Sequence, residues 1–578
     1  MSSTRIQRAS HNVHVPCVDL PTYIFSNSVK HRKEPQYFDA DNPSVNFSLE
    51  QAEIWVKRWA KGIQDFGLKP NDKIMLFSGN SVYFPIMLWG VLASGCVFTG
   101  CSPGSSVDEL ANQMVDSDSV LLLADPALLS TAFRAADKAG LPRSKVVVFS
   151  PLGDMSSYNT RTWVSLWPSE AEVKHWDWRR LRTKEQAQSA TAVINYSSGT
   201  TGLPKGVEIS HYNMVANAAQ VAFKRTLVGN SASGRERKQR IDVSGERWLA
   251  PLPMFHAYGQ SYYCTTAAII GAKVFIMPKY DLEKYLLYLD IYRITFLASV
   301  PTLMVSLAKH PRASSYNLKA IEAVTTGSAP LNADIGKLVE EIYLRPGVQV
   351  KQGWGLTENA SSATGFAPDD RDDGRSVGNL NPNMSAKIVP QPDFGFESDG
   401  SIPYTIGEIW LAGPNIMMGY YNRPEQTAST IVLEDGERWL RTGDIGYIDD
   451  GGKLYIVDRM KASGSFSKDE LIKVKGLQVA PAEIEQTLLT HTGIRDAAVV
   501  GERRRDGEYP KAFVVAQNPE HPPTETEIQK FIEDRLSKHK WLTAGVEFLD
   551  AIPRTASGKV MRRMLPGQTP KGAVKAKL

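Results

Sequence analysis

Tyr196-Ser-Ser-Gly-Thr-Thr-Gly-Leu-Pro-Lys205-Gly-Val207 is the stretch on which the reading of this chain turns. The apolar run Ala192, Val193, Ile194 precedes it, so a strand empties into a loop of hydroxyls and glycines that carries one lysine. Backbone amides freed by Gly199 and Gly202, the hydroxyls of Ser197, Ser198, Thr200 and Thr201, and the cation of Lys205 together suit a polyphosphate. A solvated Ser/Gly linker has a similar composition, but it has no strand on one side and no ordered Pro-Lys-Gly-Val on the other. The stretch is not a Walker A loop, because Pro204 precedes Lys205 and Gly206 follows it where that motif needs Gly before the lysine and Ser or Thr after it.

Outward from this loop the chain alternates between strands and helices. Ser48-Leu-Glu-Gln51 predicts a capping box that opens an amphipathic helix through Ile54, Val56, Trp59, Ile63 and Phe66. Lys73 to Phe77, Ser119 to Ala124 and Lys145 to Phe149 read as buried strands, with a helix over Thr131 to Lys138. Phe84 to Cys101 is the most apolar segment, yet Pro85, Gly90, Gly95 and Gly100 fit a buried helix running into a buried strand better than a membrane span. Such alternation predicts parallel sheets with helices on their faces. Arg225 to Arg247 and Asp369 to Arg375 read as two polar surface loops, the first a solvated insertion. Further on, Gly407 to Leu411 and Lys453 to Val457 predict a smaller β unit, with Gly443-Asp444 as a turn between them. After about Arg459 the pattern becomes a small α+β domain, with helices at Pro481 to Thr490 and Glu525 to Lys538 and strands at Ala497 to Val500 and Ala512 to Val515.

Composition sets the bounds. The 578 residues, 42% of them hydrophobic, exceed one core and allow several packed units. A net charge of +4 from 66 basic and 62 acidic residues creates no global field toward nucleic acid or an anionic membrane. Cys17, Cys96, Cys101 and Cys264 show no CxxC spacing, which argues against zinc and a disulfide framework and for thiols in a reducing compartment. The N-terminus lacks the apolar core of a signal peptide. Lys575-Ala-Lys-Leu578 is a close variant of the Ser-Lys-Leu peroxisomal address on a basic tail. The expectation is capture by a peroxisomal import receptor through Ala576-Lys577-Leu578, or a cytoplasmic protein if the tail is not read.

Five more strings follow in order: PLPMFHAYG at Pro251 to Gly259, TTGSAPL at Thr325 to Leu331, QGWGLTE at Gln352 to Glu358, WLRTGDIGYIDDGGKLYIVDR at Trp439 to Arg459, and PRTASGKVMRR at Pro553 to Arg563. Together with YSSGTTGLPKGV they resemble the signatures of the adenylate-forming superfamily, which includes acyl-CoA synthetases, 4-coumarate-CoA ligases, beetle luciferases and peptide-synthetase adenylation domains. The resemblance runs from about Ser48 to Leu565. It implies an α/β fold: a large N-terminal domain of parallel sheets flanked by helices with a small β unit (1–459), a hinge (460–470), a small mobile C-terminal α+β domain (471–565) and an exposed tail (566–578).

The resemblance also implies a chemistry. A carboxylate attacks the α-phosphate of ATP to give acyl-AMP and pyrophosphate, and the thiol of CoA then takes the acyl group. Positioning and charge neutralisation carry the first step. Carried over, Ser197, Ser198, Gly199, Thr200, Thr201 and Lys205 hold phosphates, and Lys461 joins the ATP-binding set. Trp354 and the main chain from Ser328 to Pro330 flank adenine, Thr357 meets the α-phosphate, and Glu358 offers an oxygen to Mg2+. Asp444 and Arg459 hold the ribose. Lys559 reaches the α-phosphate and the substrate carboxylate during adenylation, while Lys473 and Gln478 meet the adenylate once the domain turns. Lys475 and Gly476 then line the pantetheine tunnel, and Lys279 holds a CoA phosphate. His256 gates an acyl pocket that includes Tyr258 and Gly353.

Taken singly, Glu358 reads as a surface carboxylate, Trp354 as core, Lys559 as a solvent-facing cation and His256 as structural. Ala462 to Asp469 depart from the family, whose members run the hinge lysine straight into Glu-Leu-Ile-Lys; the insert puts the thioester step in question. The leading expectation is an ATP-dependent acid-CoA ligase of the 4-coumarate-CoA ligase-like branch that uses ATP, Mg2+, CoA and a small-molecule carboxylic acid. A stand-alone adenylating or luciferase-like enzyme is the alternative. Aryl, medium-chain and specialised-metabolism acids all remain open, because Asn359-Ala-Ser-Ser-Ala363 follows Glu358 where coumarate ligases carry small apolar residues.

Overall fold

The computed structural model describes residues 6–26, 32–154, 157–197, 204–227, 232–310, 315–390, 404–459, 472–474, 477–479, 481–504, 507–536, 538–555, 558 and 560–567. Two seven-stranded sheets dominate. One runs in the order Gly419–Tyr420, Lys205–Ser210, Thr191–Ser197, Val97–Cys101, Lys73–Phe77, Ser119–Ala124, Val146–Val148. Its last five strands are parallel, and Lys205–Ser210 folds back antiparallel on Thr191–Ser197. The other runs Val350–Gln352, Ala323–Thr326, Phe296–Ser299, Arg247–Ala250, Lys273–Ile276, Pro35–Asp39, Asn46–Ser48, parallel except for its final pair. The expected α/β architecture of parallel sheets and helices is therefore present.

Local rules explain the first helix. Ser48 caps Leu49–Asp65 with Gln51 completing the box, and Val56, Trp59 and Ile63 are buried. Ile54, expected on the same face, is 37% exposed. The neighbouring helix Phe84–Ala93 is buried along its whole length, as its composition required. Gly90 lets the two helices meet, because a Cβ there would lie 2.3 Å from Cδ1 of Trp59. The apolar run then enters the buried strand Val97–Cys101. No helix among the described residues is long and apolar enough to cross a membrane. All four cysteines are free; Cys96, Cys101 and Cys264 are buried and Cys17 half-buried.

Two expectations fail for tertiary reasons, and two element bounds shift. The span read as a solvated loop holds the helix Ala232–Ser244, whose Arg237 is 7% exposed and paired with Asp369 at 2.7 Å, and whose Arg240 pairs with Glu322 at 2.6 Å. Its basic residues thus serve partners distant in sequence. Gly443-Asp444 is no turn: both lie inside the strand Glu437–Ile448, where Gly443 takes φ +69° beside a register shift in the pairing with Gly407–Ala412. The helix at Glu525 stops at Glu533, and the strand at Lys145 begins at Val146 after a 3-10 turn.

The antiparallel β unit also recruits Ile6–Arg8 at its edge. Downstream, Ile494–Arg504, Gly507–Ala516 and Val546–Phe548 form a three-stranded sheet. An apolar cluster that includes Ile472, Ile484, Leu488, Val499, Val514, Ile528 and Leu542 packs against it. The hinge and its insert, including Lys461 and Ala462 to Asp469, lie outside the described residues.

Candidate active site

Strands of both large sheets deliver their carboxyl ends to one region, as parallel α/β sheets do. Thr191–Ser197 carries Ser197 to the edge of the Gly/Ser loop, and Lys205 opens the returning strand, paired directly with Ser197. Ser198, Gly199, Thr200 and Thr201 lie outside the described residues. Lys205 Nζ sits 5.0 Å from the ring centre of Tyr420, and the Tyr420 hydroxyl donates to Glu358 Oε1 at 3.0 Å. The strand Gly419–Tyr420 makes this possible by pairing with Lys205–Ser210 while Met417 N donates to the carbonyl of Glu358 at 2.8 Å. Tyr420 was missed in the sequence reading; the aromatic pair of Gly419-Tyr-Tyr-Asn422 was the available signal.

Glu358 and Thr357 occupy a single 3-10 turn, Thr357–Asn359. Ala360 and Ser361 behind it take φ of +58° and +112°, and Ser328 at the end of Ala323–Thr326 takes +76°. Non-glycine residues in this region are strained, and strain held by surrounding structure marks functional loops. Trp354 Nε1 donates to Asp444 Oδ2 at 2.8 Å, so the aromatic face and the ribose carboxylate assigned by resemblance are joined directly. Asp444 is 6% exposed and pairs in register with Arg459, of whose side chain the structure gives no description. Ser328 is exposed at the mouth.

The loop from Pro251 to Gly259 is clamped by Asn80, which donates to Leu252 O at 3.0 Å and accepts from Met254 N at 2.9 Å. The His256 ring lies tilted against that of Phe255 at 4.6 Å, and its Nε2 is enclosed with no partner among the described residues. Burial pushes its imidazole down to about 4, so the ring is neutral at ordinary pH. The Tyr258 hydroxyl donates to Ser299 O at 3.3 Å, and its ring meets Tyr262 edge-on at 4.8 Å. Gly353 faces the strand Ala323–Thr326: a Cβ there would make an ordinary contact with Thr325 Oγ1 at 3.5 Å. Lys279 is exposed.

One helix holds the floor of this region. His211–Thr226 places Asn213, Asn217, Gln220 and Lys224 on one face by their spacing. They donate in turn to Ile416 O at 2.9 Å, Ser362 O at 2.8 Å, Pro382 O at 2.7 Å, and Gly365 O and Asn379 O at 2.6 Å. This buried polar stripe satisfies carbonyls of the irregular segments around Glu358, which would otherwise be costly to enclose.

Lys559, Lys475 and Gly476 lie outside the described residues, and nothing is described of the side chains of Lys473 and Gln478. Gly558, next to Lys559 in sequence, lies against the helix Pro301–Ala308, its Cβ position 3.5 Å from Thr302 Oγ1. Among the described residues no cluster of three His, Cys, Asp or Glu could hold a metal. The single carboxylate of Glu358, held by Tyr420, suits Mg2+, which takes one or two carboxylates and completes its shell with phosphate oxygens and water.

The family model described as AMP-binding enzyme matches residues 26–421, and AMP-binding enzyme C-terminal domain matches residues 483–559. The chain is similar to phenylacetyl-CoA ligase epaB of Aspergillus niger, 33% identical over 96% of this chain and 97% of that protein. It is 32% identical to peroxisomal OPC-8:0-CoA ligase 1 of Arabidopsis thaliana, over 95% of this chain and 93% of the relative. Among solved structures, the anthranilate CoA ligase AuaEII in complex with anthranoyl-AMP superposes with a TM-score of 0.76 at 19% identity, covering 95% of this chain and 96% of that one.

Proposed function

The chain belongs to the AMP-binding enzyme family and is an acid-CoA ligase working through acyl-AMP with ATP, Mg2+ and CoA, and from that premise we propose how its own residues divide the reaction. Lys205, Tyr420 and Glu358 form the phosphate end. The contact chain from Lys205 to Tyr420 to Glu358 is the observation that carries this reading, because it brings a cation and a carboxylate from separate strings of sequence to one mouth. Mg2+ bound by Glu358 would supply charge neutralisation to the phosphates. Trp354 and Asp444 orient the nucleoside, with Ser328 opposite and Arg459 adjoining.

In the first half-reaction an oxygen of the substrate carboxylate forms a bond to the α-phosphorus, and the bond from that phosphorus to the bridging oxygen breaks with pyrophosphate leaving. In the second, the CoA sulfur bonds to the acyl carbon, the thiol proton passes to solvent, and AMP leaves with the electrons of the carbon–oxygen bond. Lys559 serves the first step. Lys473, Lys475, Gly476 and Gln478 serve the second, Lys279 holds CoA, and Lys461 lies at the turning point between the domains 1–459 and 471–565. His256 acts as a neutral gate, and Tyr258 and Gly353 shape the acyl pocket.

The test is pyrophosphate release over a panel of carboxylic acids, with and without CoA, with the thioester read by mass spectrometry. Acid-dependent pyrophosphate and a CoA ester are the expected result. Pyrophosphate without any CoA ester would leave an adenylating enzyme alone and refute the second half. For location, Ala576-Lys577-Leu578 supports peroxisomal import through its receptor. An N-terminal reporter fusion should enter peroxisomes and become cytosolic when these three residues are removed; a diffuse signal from the intact tail would overturn this.

A further inference from the structure

On the ligase reading above, the acid is chosen by what lines the far end of the acyl site. A cavity of about 60 Å³ runs beside the strand Ala323–Thr326, from Thr325 back to Glu322. That is several times what one enclosed water needs. It adjoins the acyl-site residues on two sides. Tyr262, in its wall, packs on Tyr258, and a side chain at Gly353 would meet Thr325 Oγ1 and Thr364 O, both also in the wall. Thr325 lies toward the carboxyl end of the strand, where the nucleotide residues gather. Glu322 lies three residues deeper, about 10 Å along an extended chain.

The wall carries three cations, Lys224, Lys351 and Arg225, against one carboxylate, Glu322. Glu322 is already engaged by Arg240 at 2.6 Å and Arg345 at 3.2 Å. Lys224 uses two of its three N–H groups on Gly365 O and Asn379 O, and Lys351 uses two on Ala367 O at 3.1 Å and Pro368 O at 2.7 Å. Neither lysine forms an ion pair with a carboxylate among the described residues. Asp370, the carboxylate that acts on both from a distance, accepts instead from Ala367 N at 2.7 Å. Arg225 gives Nη2 to both oxygens of Glu246 at 2.7 Å, and its buried Nε has no acceptor.

A staple for loop carbonyls needs neither the surplus of charge nor the unused donors. Buried ammonium groups facing carbonyls alone are poorly compensated, and desolvation pulls Lys224 down to about 7 and Lys351 to about 8. An anionic oxygen group would supply both the missing acceptors and the missing charge.

We propose that this cavity is a distal subsite for a carboxylate, so that the acid activated here is a dicarboxylic acid of medium length whose second carboxylate is bound by Lys224, Lys351 and Arg225 and does not react. The reacting carboxylate is adenylated and transferred as above; the distal one stays ionised and intact in the product, a CoA half-thioester.

The experiment compares kcat/KM for octanedioic and decanedioic acids with octanoic and decanoic acids by CoA-dependent pyrophosphate release, with butanedioic acid as a diacid too short to span. The wild type should favour the longer diacids over the matched monoacids by tenfold or more and discriminate against butanedioic acid. Lys351→Met should lower that preference about tenfold while leaving the KM for ATP unchanged, and Lys224→Met should lower the preference as well. Lys224 also holds two loops, so if its variant fails to fold, Lys351→Met and the wild-type ratio decide. A wild type that prefers monoacids, or a preference unchanged in the folded variants, overturns the subsite while leaving the ligase intact. No pyrophosphate from any acid, outside this panel as well as within it, overturns the ligase reading and the subsite with it.

Discussion

Lys309 ends the helix Pro301–Ala308 and reaches into the C-terminal segment, where its Nζ donates to the carbonyl of His491 at 3.0 Å and to that of Ile494. The first turn of the same helix carries Thr302, which faces Gly558. One helix therefore touches the C-terminal segment at both of its ends, through Thr302 at Gly558 and through Lys309 at His491 and Ile494. Replacing Lys309 with methionine keeps an apolar stem and removes the donors. Two charge-assisted hydrogen bonds contribute roughly 3 to 6 kcal/mol together. Burial pulls the ammonium from its ordinary 10.5 to about 8, with Asp496 opposing. That desolvation offsets roughly 3 kcal/mol at neutral pH, somewhat less because the side chain is only half-buried. The net is about 1–2 kcal/mol in favour of this orientation, or a factor of roughly 5–30 in population. Lys309→Met should then slow single-turnover acyl-AMP formation by about that factor and spare CoA transfer from preformed acyl-AMP. The pH dependence has a definite sign. The docked lysine loses its proton near 8 and the undocked one near 10.5, so the undocked state binds more protons between these values and docking gains as pH rises through that window. The ratio of wild-type to variant adenylation rates should be flat below about 8 and grow above it. Equal losses in both half-reactions, or a ratio independent of pH, would refute the latch.

Three further outcomes follow from the site. Trp354→Phe keeps an aromatic face but removes the donor to buried Asp444, a bond to a charged group contributing roughly 1.5 kcal/mol or more, so the KM for ATP should rise about tenfold with kcat little changed; an unchanged KM would show that Asp444 is held by other means. His256 is neutral above about 4, and because its folded value lies below the ordinary 6.5, the stability it contributes is lost as pH falls from about 6.5 toward 4. The wild type should thus lose urea resistance over that range faster than His256→Gln, and identical slopes would contradict the burial argument. Lys559→Ala should abolish acyl-AMP formation but spare thioester formation from supplied acyl-AMP; equal loss in both would make this lysine structural.

Much of this molecule was legible because its strands are continuous apolar runs bounded by polar residues. Lys73–Phe77 and Ser119–Ala124 begin and end where the residues alone place them. The capping box at Ser48 was equally plain, since both of its bonds are local. What escaped depends on partners distant in sequence. The helix Ala232–Ser244 has no apolar stripe to betray it, and its arginines are held by Asp369 and Glu322. Asp444 looked like a turn because Gly-Asp usually is one; only the bulge against Gly407–Ala412 shows that a strand can carry it. Asn80 carries no motif of its own and Tyr420 only an aromatic pair; both gain meaning from their partners, Met254 and Glu358.

The same logic explains why the polar stripe on His211–Thr226 was invisible. A helix with Asn213, Asn217, Gln220 and Lys224 on one face reads as half-exposed, yet Asn213, Asn217 and Gln220 are buried. Its amides and ammonium hydrogen-bond the carbonyls of a segment that cannot form regular structure, because Ala360 and Ser361 must turn the chain sharply behind Glu358. An apolar stripe there would leave those carbonyls unpaired and the turn unsupported, so the position of Glu358 is set as much by this helix as by its own motif. The stripe ends at Lys224, in the wall of the cavity behind the acyl site. The scaffold around Glu358 therefore continues, one helical turn at a time, into the residues proposed to select the acid.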